Sequence, residues 1–288
     1  HSIAPLSAAA TGGVALILAV AAHADGWPVA RGGSHAIAAT LAAYLRELGG
    51  TIETGRWVKS IDELPPARAI YLDTAPAAAA RIAGSRIGSR MARRLTSWRH
   101  GPGVHKVDWI LDGPIPWADP LSGRAGTVHV GGSFEEIAAA EDRAVAGYAP
   151  ENPFVLLAQP SVVDESRAPA GRHVVWGYCH VPHGYEGDAS DAIEAQVERF
   201  APGFRDRIVG RHVQSATGVA AYNPNNVGGD IGGGAISLRR LLVGPRIAPN
   251  PYEIGDGIYL CSAAAPPGGG VHGMSGYNAV RCSIGDRA

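Results

Sequence analysis

Between Gly257 and Arg281 the chain reads G-I-Y-L-C-S-A-A-A-P-P-G-G-G-V-H-G-M-S-G-Y-N-A-V-R, and no other stretch narrows its folding choices as strongly. A short apolar strand, Ile258 to Cys261, runs into small residues, two prolines and three glycines, and then into a small-residue segment of helical character. Glycines let a ligand come close to the backbone, and the free N–H groups at the start of the following helix favour an anion. The order predicts a strand, a turn and a helix that together accommodate a phosphate-bearing cofactor. The plainer alternative is a glycine-rich turn that closes an ordinary α/β unit.

The chain has the material for a substantial core. Its 288 residues are 46% hydrophobic and 18% charged, which predicts one large or two interleaved domains. A formal net charge of -1 gives no global field for nucleic acid or an anionic membrane. Arginines 81, 86, 90, 93, 94 and 99 form a local basic run, read as a solvated helix face near a substrate opening. Cys179, Cys261 and Cys282 are odd in number and widely spaced, which argues against a disulfide framework and for a reducing compartment, the cytoplasm by default. The apolar run Gly13 to Ala22 precedes Ala22-His23-Ala24, which looks like a cleavage site, but no Lys or Arg precedes Arg31. The run is shorter than the ~20 residues that a helix needs to cross a bilayer, so it predicts a buried helix.

Further along, Ser34 is a candidate N-cap for a helix whose apolar positions Ile37, Leu41, Leu45 and Leu48 recur at helical spacing before Gly49-Gly50. Extended segments are expected at Thr51 to Thr54, Arg56 to Ile61 and Ala69 to Leu72, a β-α-β-β progression suited to a nucleotide-binding layer. From Ala77 an arginine-rich helical stretch leads to His100-Gly101-Pro102-Gly103. Strands are then expected at Val104 to Leu111, Thr127 to Val130, Phe154 to Gln159 and His173 to Val181, with helices at Phe134 to Ala146 and Ala189 to Phe200. Such a run reads as a mixed or antiparallel sheet with covering helices.

Several chemistries find no support. Cys179-His180-x-x-His183 has no second paired motif to complete four metal ligands, and adjacent strand residues point to opposite faces. There is no G-x-S-x-G and no P-loop. Glu135-Glu136 and Glu141-Asp142 read as solvated helix acids. The block Tyr222 to Gly234, Y-N-P-N-N-V-G-G-D-I-G-G-G, suits a loop with several positive-φ residues that forms the floor of a site, or a purely structural multiple turn.

The tail, the N-P-N-N-V-G-G-D-I block from Asn223, the Gly32-Gly33 helix start, the segment around Val58 and the strand ending at Asp73-Thr74-Ala75 share a likeness. Together they resemble the phytoene dehydrogenase-like FAD-dependent oxidoreductases of the amine oxidase and phytoene desaturase group. The resemblance implies a mixed α/β (α+β) fold: a partial FAD/NAD(P)-binding domain of the glutathione-reductase-like type with an inserted mixed-sheet substrate domain. It divides the chain into an apolar helical segment of the substrate region (1–30), an FAD-domain part (31–76), the substrate domain (77–220) and a C-terminal FAD-domain part (221–288).

The same resemblance implies FAD as cofactor and hydride transfer from an apolar small-molecule substrate; no metal is expected, since no second paired ligand motif is present. Backbone groups of Val58 would hold the adenine edge, and Thr74 would lie near the adenosine diphosphate portion. Ser262, Ala263, Gly268, Gly269, Gly270, Val271 and Met274 would contact the pyrophosphate, ribityl chain and flavin ring. Asn223, Asn225 and Asp230 are the polar substrate-pocket candidates, with no proton-transfer role assigned. Nothing in the chain supports nucleic-acid or membrane partners. The family's opening G-x-G-x-x-G is absent, so the likeness covers only the later part of the family's chain. The N-terminal FAD-binding segment is then missing or supplied separately, and the alternative is a non-catalytic binding or scaffold protein with a degenerate cofactor site.

Overall fold

The computed structural model describes residues 5–6, 11–24, 26–235, 246 and 248–285. In chain order its strands are β1 (Ile70–Leu72), β2 (Gly103–Leu111), β3 (Thr127–Val130), β4 (Val155–Ala158), β5 (His173–Val181), β6 (Ile208–Gln214), β7 (Glu253–Gly255) and β8 (Ile258–Leu260). Helices are α1 (Thr11–Ala24), α2 (His35–Glu47), α3 (Pro76–Ala83), α4 (Ser89–Thr96), α5 (Phe134–Ala146), α6 (Pro160–Val163), α7 (Ser190–Phe200), α8 (Ala216–Tyr222) and α9 (Met274–Ser283). Two sheets of different construction result, one with antiparallel pairs and one mixed, as expected of a mixed α/β chain. No helix among the described residues is long and apolar enough to cross a membrane.

The chain divides into two units. The first comprises His1–Arg56, His105–Val181 and Gly187–Ser215; the second comprises Trp57–Val104, Pro182–Glu186 and Ala216–Ala288. The first holds a five-stranded sheet of order β3-β4-β5-β2-β6, in which β2–β6, β3–β4 and β4–β5 pair antiparallel. Alternation along β2 sends Val107, Trp109 and Leu111 inward, and each such side chain contributes about 1.5–3 kcal/mol on burial. Ile193 and Val197, one turn apart on α7, are also fully buried. Helix α5 begins and ends where its residues dictate. Ser133 Oγ accepts the Glu136 N–H at 3.3 Å while Glu136 accepts the Ser133 N–H at 2.8 Å, and Gly147 closes the helix at φ 95°.

The second unit holds the sheet β1-β8-β7, with β1 and β8 parallel in the register Ile70↔Ile258 and Leu72↔Leu260. Leu72, Ile258 and Leu260 pack with Ala79 and Ala83 of α3 and Leu95 of α4. On the alternate positions Tyr71 and Tyr259 stack at 5.3 Å, and Tyr259 packs with Ala279 of α9. Helices therefore cover both sides of the parallel pair, which is what continuous apolar strands require.

Three expectations need correction. The run Gly13 to Ala22 is helical but not buried: Leu16, Ile17 and Val20 are exposed, so the described residues leave uncovered the apolar surface that such a helix presents on every side. Helix α2 follows Ser34, yet that hydroxyl makes no capping bond, and Ile37, Leu41, Leu45 and Leu48 are exposed. Residues 51–60 join no sheet. Ser60 Oγ instead accepts the Asp62 N–H at 3.2 Å and Glu63 accepts the Ser60 N–H at 3.1 Å, turning the chain into a short 3-10 helix at Ile61–Glu63.

Candidate functional site

Strands β1 and β8 run parallel, so their carboxyl ends lie side by side, and Cys261 N–H continues the ladder to the Leu72 carbonyl at 3.1 Å. Beyond them the chain leaves the sheet as Asp73-Thr74-Ala75 and as Ser262-Ala263-Ala264. A cavity of about 200 Å³ opens there, lined by Asp73, Ala75, Ser262, Ala263 and Ala264 together with His100, Asn223, Asn225, Asn226, Ile231 and Gly233. The crevice outside the carboxyl ends of parallel strands is the general place for a ligand in α/β sheets.

Its polar groups divide into committed and open ones. Asn225 Oδ1 accepts the Ala75 N–H at 2.8 Å, and Asn223 Oδ1 accepts the Asn225 N–H at 3.1 Å. Their amide N–H groups remain the donors on offer. Thr74 Oγ1 and Ser262 Oγ are buried without a hydrogen-bond partner among the described residues. Such a hydroxyl costs about 1–3 kcal/mol relative to water unless a ligand or solvent meets it.

The Asn-Gly block is held to the floor of this cavity by steric fit. Gly228 has φ +63°, and a Cβ there would stand 2.2 Å from the His183 ring. At Gly233, φ +71°, a Cβ would stand 2.9 Å from that of Ala263, so a side chain would intrude on the cavity wall.

Behind the lining lies a buried carboxylate. Asp230, 1% exposed, accepts the Gly101 N–H at 2.8 Å and the Gly232 N–H at 2.8 Å. His100 Nδ1 stands 3.4 Å from Asp230 Oδ2, a polar contact too poorly aligned to be a good hydrogen bond. The His183 ring stacks on that of His100 at 5.9 Å, and its Nδ1–H donates to the Gly101 carbonyl at 3.1 Å. Burial pushes the Asp230 carboxyl up, but His100 and the two backbone N–H groups outweigh it and hold the carboxyl below its usual value.

The charge at the strand ends is negative. Burial raises the Asp73 carboxyl, and burial with the Asp73 charge pushes the Cys261 thiol to about 11, so that sulfur stays protonated at neutral pH. Among the described residues neither Lys nor Arg lines the cavity.

The residues singled out in the sequence are dispersed. Ser262, Ala263, Asn223 and Asn225 line the cavity, Asp230 stands behind it, and Thr74 sits between two lining residues. Val58 packs against the core of Leu72 and Leu260. Gly268, Gly269, Gly270, Val271 and Met274 form a turn and helix start outside the lining, with Val271 94% exposed. Met274 N–H already donates to His272 Nδ1 at 3.0 Å, which removes one donor expected to face a phosphate. His100 is a polar lining residue that the sequence did not single out; its H-G-P-G setting shows only a helix end.

In the first unit, Glu141 is not solvated. It lies 4% exposed and 2.7 Å from His180 Nδ1. Position 141 falls on the stripe of Ile137, Ala140 and Ala144, so the helix phase was the available signal. Among the described residues no cluster of three or more His, Cys, Asp or Glu could hold a metal ion.

No family model matches the chain. It is 32% identical over 147 residues to a rat protein named pyridine nucleotide-disulfide oxidoreductase domain-containing protein 2, and 31% identical to the mouse protein of that name. The matched stretch is 46% of this chain and only 25% of each relative. The crystal structure of an oxidoreductase from Methanosarcina mazei is similar in fold, with TM-score 0.55 and 15% identity over 85% of this chain and 53% of that one. The likeness lies in the mixed α/β architecture.

Proposed function

We propose that this chain is part of an FAD-dependent oxidoreductase of the phytoene dehydrogenase-like group, transferring a hydride from an apolar substrate to flavin. The second unit is read as a portion of a glutathione-reductase-like FAD/NAD(P)-binding domain, and the first as the substrate domain. Relatives named as oxidoreductases and an oxidoreductase fold neighbour support the reading. The observation that carries it is the pair of unpartnered buried hydroxyls, Thr74 and Ser262, at the ends of adjacent parallel strands beside a polar cavity.

These residues fit a particular part of such a cofactor. Asp73 accepts hydrogen bonds, the asparagine amides donate them, and Thr74 and Ser262 do either, which suits a neutral, hydroxyl-rich segment. Among the described residues the lining carries no Lys or Arg, so the groups it offers suit a neutral segment better than a phosphate. Its volume of about 200 Å³ falls below the ~300–1,000 Å³ of a complete small-molecule site, so it accommodates part of a dinucleotide. The G-x-G-x-x-G turn, absent from these residues, comes to the site from elsewhere in a longer polypeptide or from a separate one. A bound flavin supplies the two-electron acceptor. The chain's own groups hold and orient it and keep water out.

Titration of the chain with FAD, followed by quenching of flavin fluorescence, tests this. Weak but saturable binding is expected. Thr74→Val with Ser262→Ala should weaken it by about thirtyfold, since two hydrogen bonds of about 1 kcal/mol each are lost. Equal binding by that double variant, or no saturable binding at all, would overturn the reading; the second result favours a degenerate, non-catalytic scaffold.

A further inference from the structure

We propose that His100 is the proton acceptor of this cavity and Asp230 its positioning residue, serving a ligand that carries an O–H or N–H group. The proposal rests on the cavity being a ligand site, and it narrows the chemistry there: a pure hydrocarbon would have no use for such a pair.

Three observations place the proton. His100 lines the cavity, while its Nδ1 is buried and faces Asp230 Oδ2 at 3.4 Å. An unprotonated Nδ1 would set two lone pairs against each other in a region with little water, so the ring proton belongs on Nδ1. Nε2 then carries the free lone pair, and among the described residues no group hydrogen-bonds it. A base oriented by a third group through its other nitrogen is the general form of an activated acceptor, and such contacts are commonly long until a ligand is bound.

Asp230 is fixed for that role. Both its oxygens accept backbone N–H groups, from Gly101 and Gly232, so the carboxylate keeps its place when the ring shifts. The Gly101 bond ties Asp230 to the residue next to His100. The His183 ring, pinned by the Gly101 carbonyl, stacks against His100 and limits its rotation.

The step itself is a proton transfer. The ligand O–H or N–H bond breaks, its electron pair stays on the ligand atom, and an N–H bond forms at Nε2. The positive charge created on the ring is met by Asp230.

The test uses the 288-residue chain without flavin, so its failure is separable from failure of the flavin reading. In protein labelled with ¹⁵N-histidine, and with the signal assigned by its loss in His100→Gln, His100 should be the Nδ1–H tautomer. The Nε2–H tautomer in the unmutated protein would overturn the proposal, whether or not any variant folds. The second readout uses 4-nitrophenol as a hydroxyl-bearing probe, at a pH where most of it is free phenol. Binding should generate the yellow phenolate. The yield should fall about tenfold in His100→Gln and by a similar factor in Asp230→Asn, where the orienting charge is gone. Phenolate formation unchanged by His100→Gln, or no phenolate at all, would overturn it.

Discussion

In the first unit the buried carboxylates find partners within the protein. Glu141 lies 2.7 Å from His180 Nδ1, and Glu194 accepts both the Trp109 indole N–H and the Arg211 guanidinium at 2.9 Å. At the strand ends of the second unit Thr74 and Ser262 have no such partner, and Asp230 spends its carboxylate on orienting a loop and a cavity histidine. Taking polar atoms out of water carries a cost in both places, larger for the carboxylates than for the hydroxyls. Paired with each other they specify a core; left open at a crevice they mark where something else completes the pairing.

The largest test of that contrast is Glu141→Ala. Removing Glu141 takes the carboxylate away from the buried His180 Nδ1, so a loss of about 1–3 kcal/mol in unfolding free energy is expected from urea denaturation. FAD titration of the folded fraction should be unchanged. A loss below about 1 kcal/mol would place Glu141 with surface ion pairs and remove the contrast.

Asp230 gives an intermediate effect with a definite pH signature. Its folded carboxyl titrates below its unfolded value, so its stabilising contribution is complete above about pH 4, the ordinary carboxylate value, and is lost as pH falls through the folded one. Unfolding free energies of the wild-type chain and Asp230→Asn, measured from pH 7 to pH 3, should therefore converge on the acid side. A constant gap would mean that the Asp230 carboxylate is no better held when folded than when unfolded.

How much of this was legible in the sequence depended on how local the signal was. Helix α5 came out residue for residue because Ser133, Glu136 and Gly147 mark its ends, and β3 and β5 because their runs are rich in β-branched and aromatic residues. Strand β6 escaped because Gly210 and Arg211 interrupt its middle, and β7 because three residues carry no period. At the site, Ser262, Asn223 and Asn225 lay in unusual local sequence and could be singled out. His100 could not, since its significance comes from Asp230, far away in the chain. The glycine turn at 268–270 stood out by its place between a strand and a helix and by the family resemblance, whereas the cavity lining falls at 262–264, where two parallel strands end.

The smallest expected effect is also the most direct comparison, because two serines of equal burial differ in pairing. Ser161 in the first unit and Ser262 in the second are each 8% exposed. Ser161 Oγ accepts the Val174 N–H at 3.0 Å, whereas Ser262 Oγ has no partner. Ser161→Ala leaves a part-buried N–H unpaired and should cost about 1 kcal/mol. Ser262→Ala removes an oxygen already desolvated without return, so it should be neutral or stabilise by up to about 1 kcal/mol, while weakening FAD. Urea midpoints of the two variants, at unchanged m, should therefore move in opposite directions or differ by at least the full Ser161 loss. If Ser262→Ala destabilises as much as Ser161→Ala, the Ser262 hydroxyl is bonded within the folded protein, and its place as an open ligand-binding group is lost.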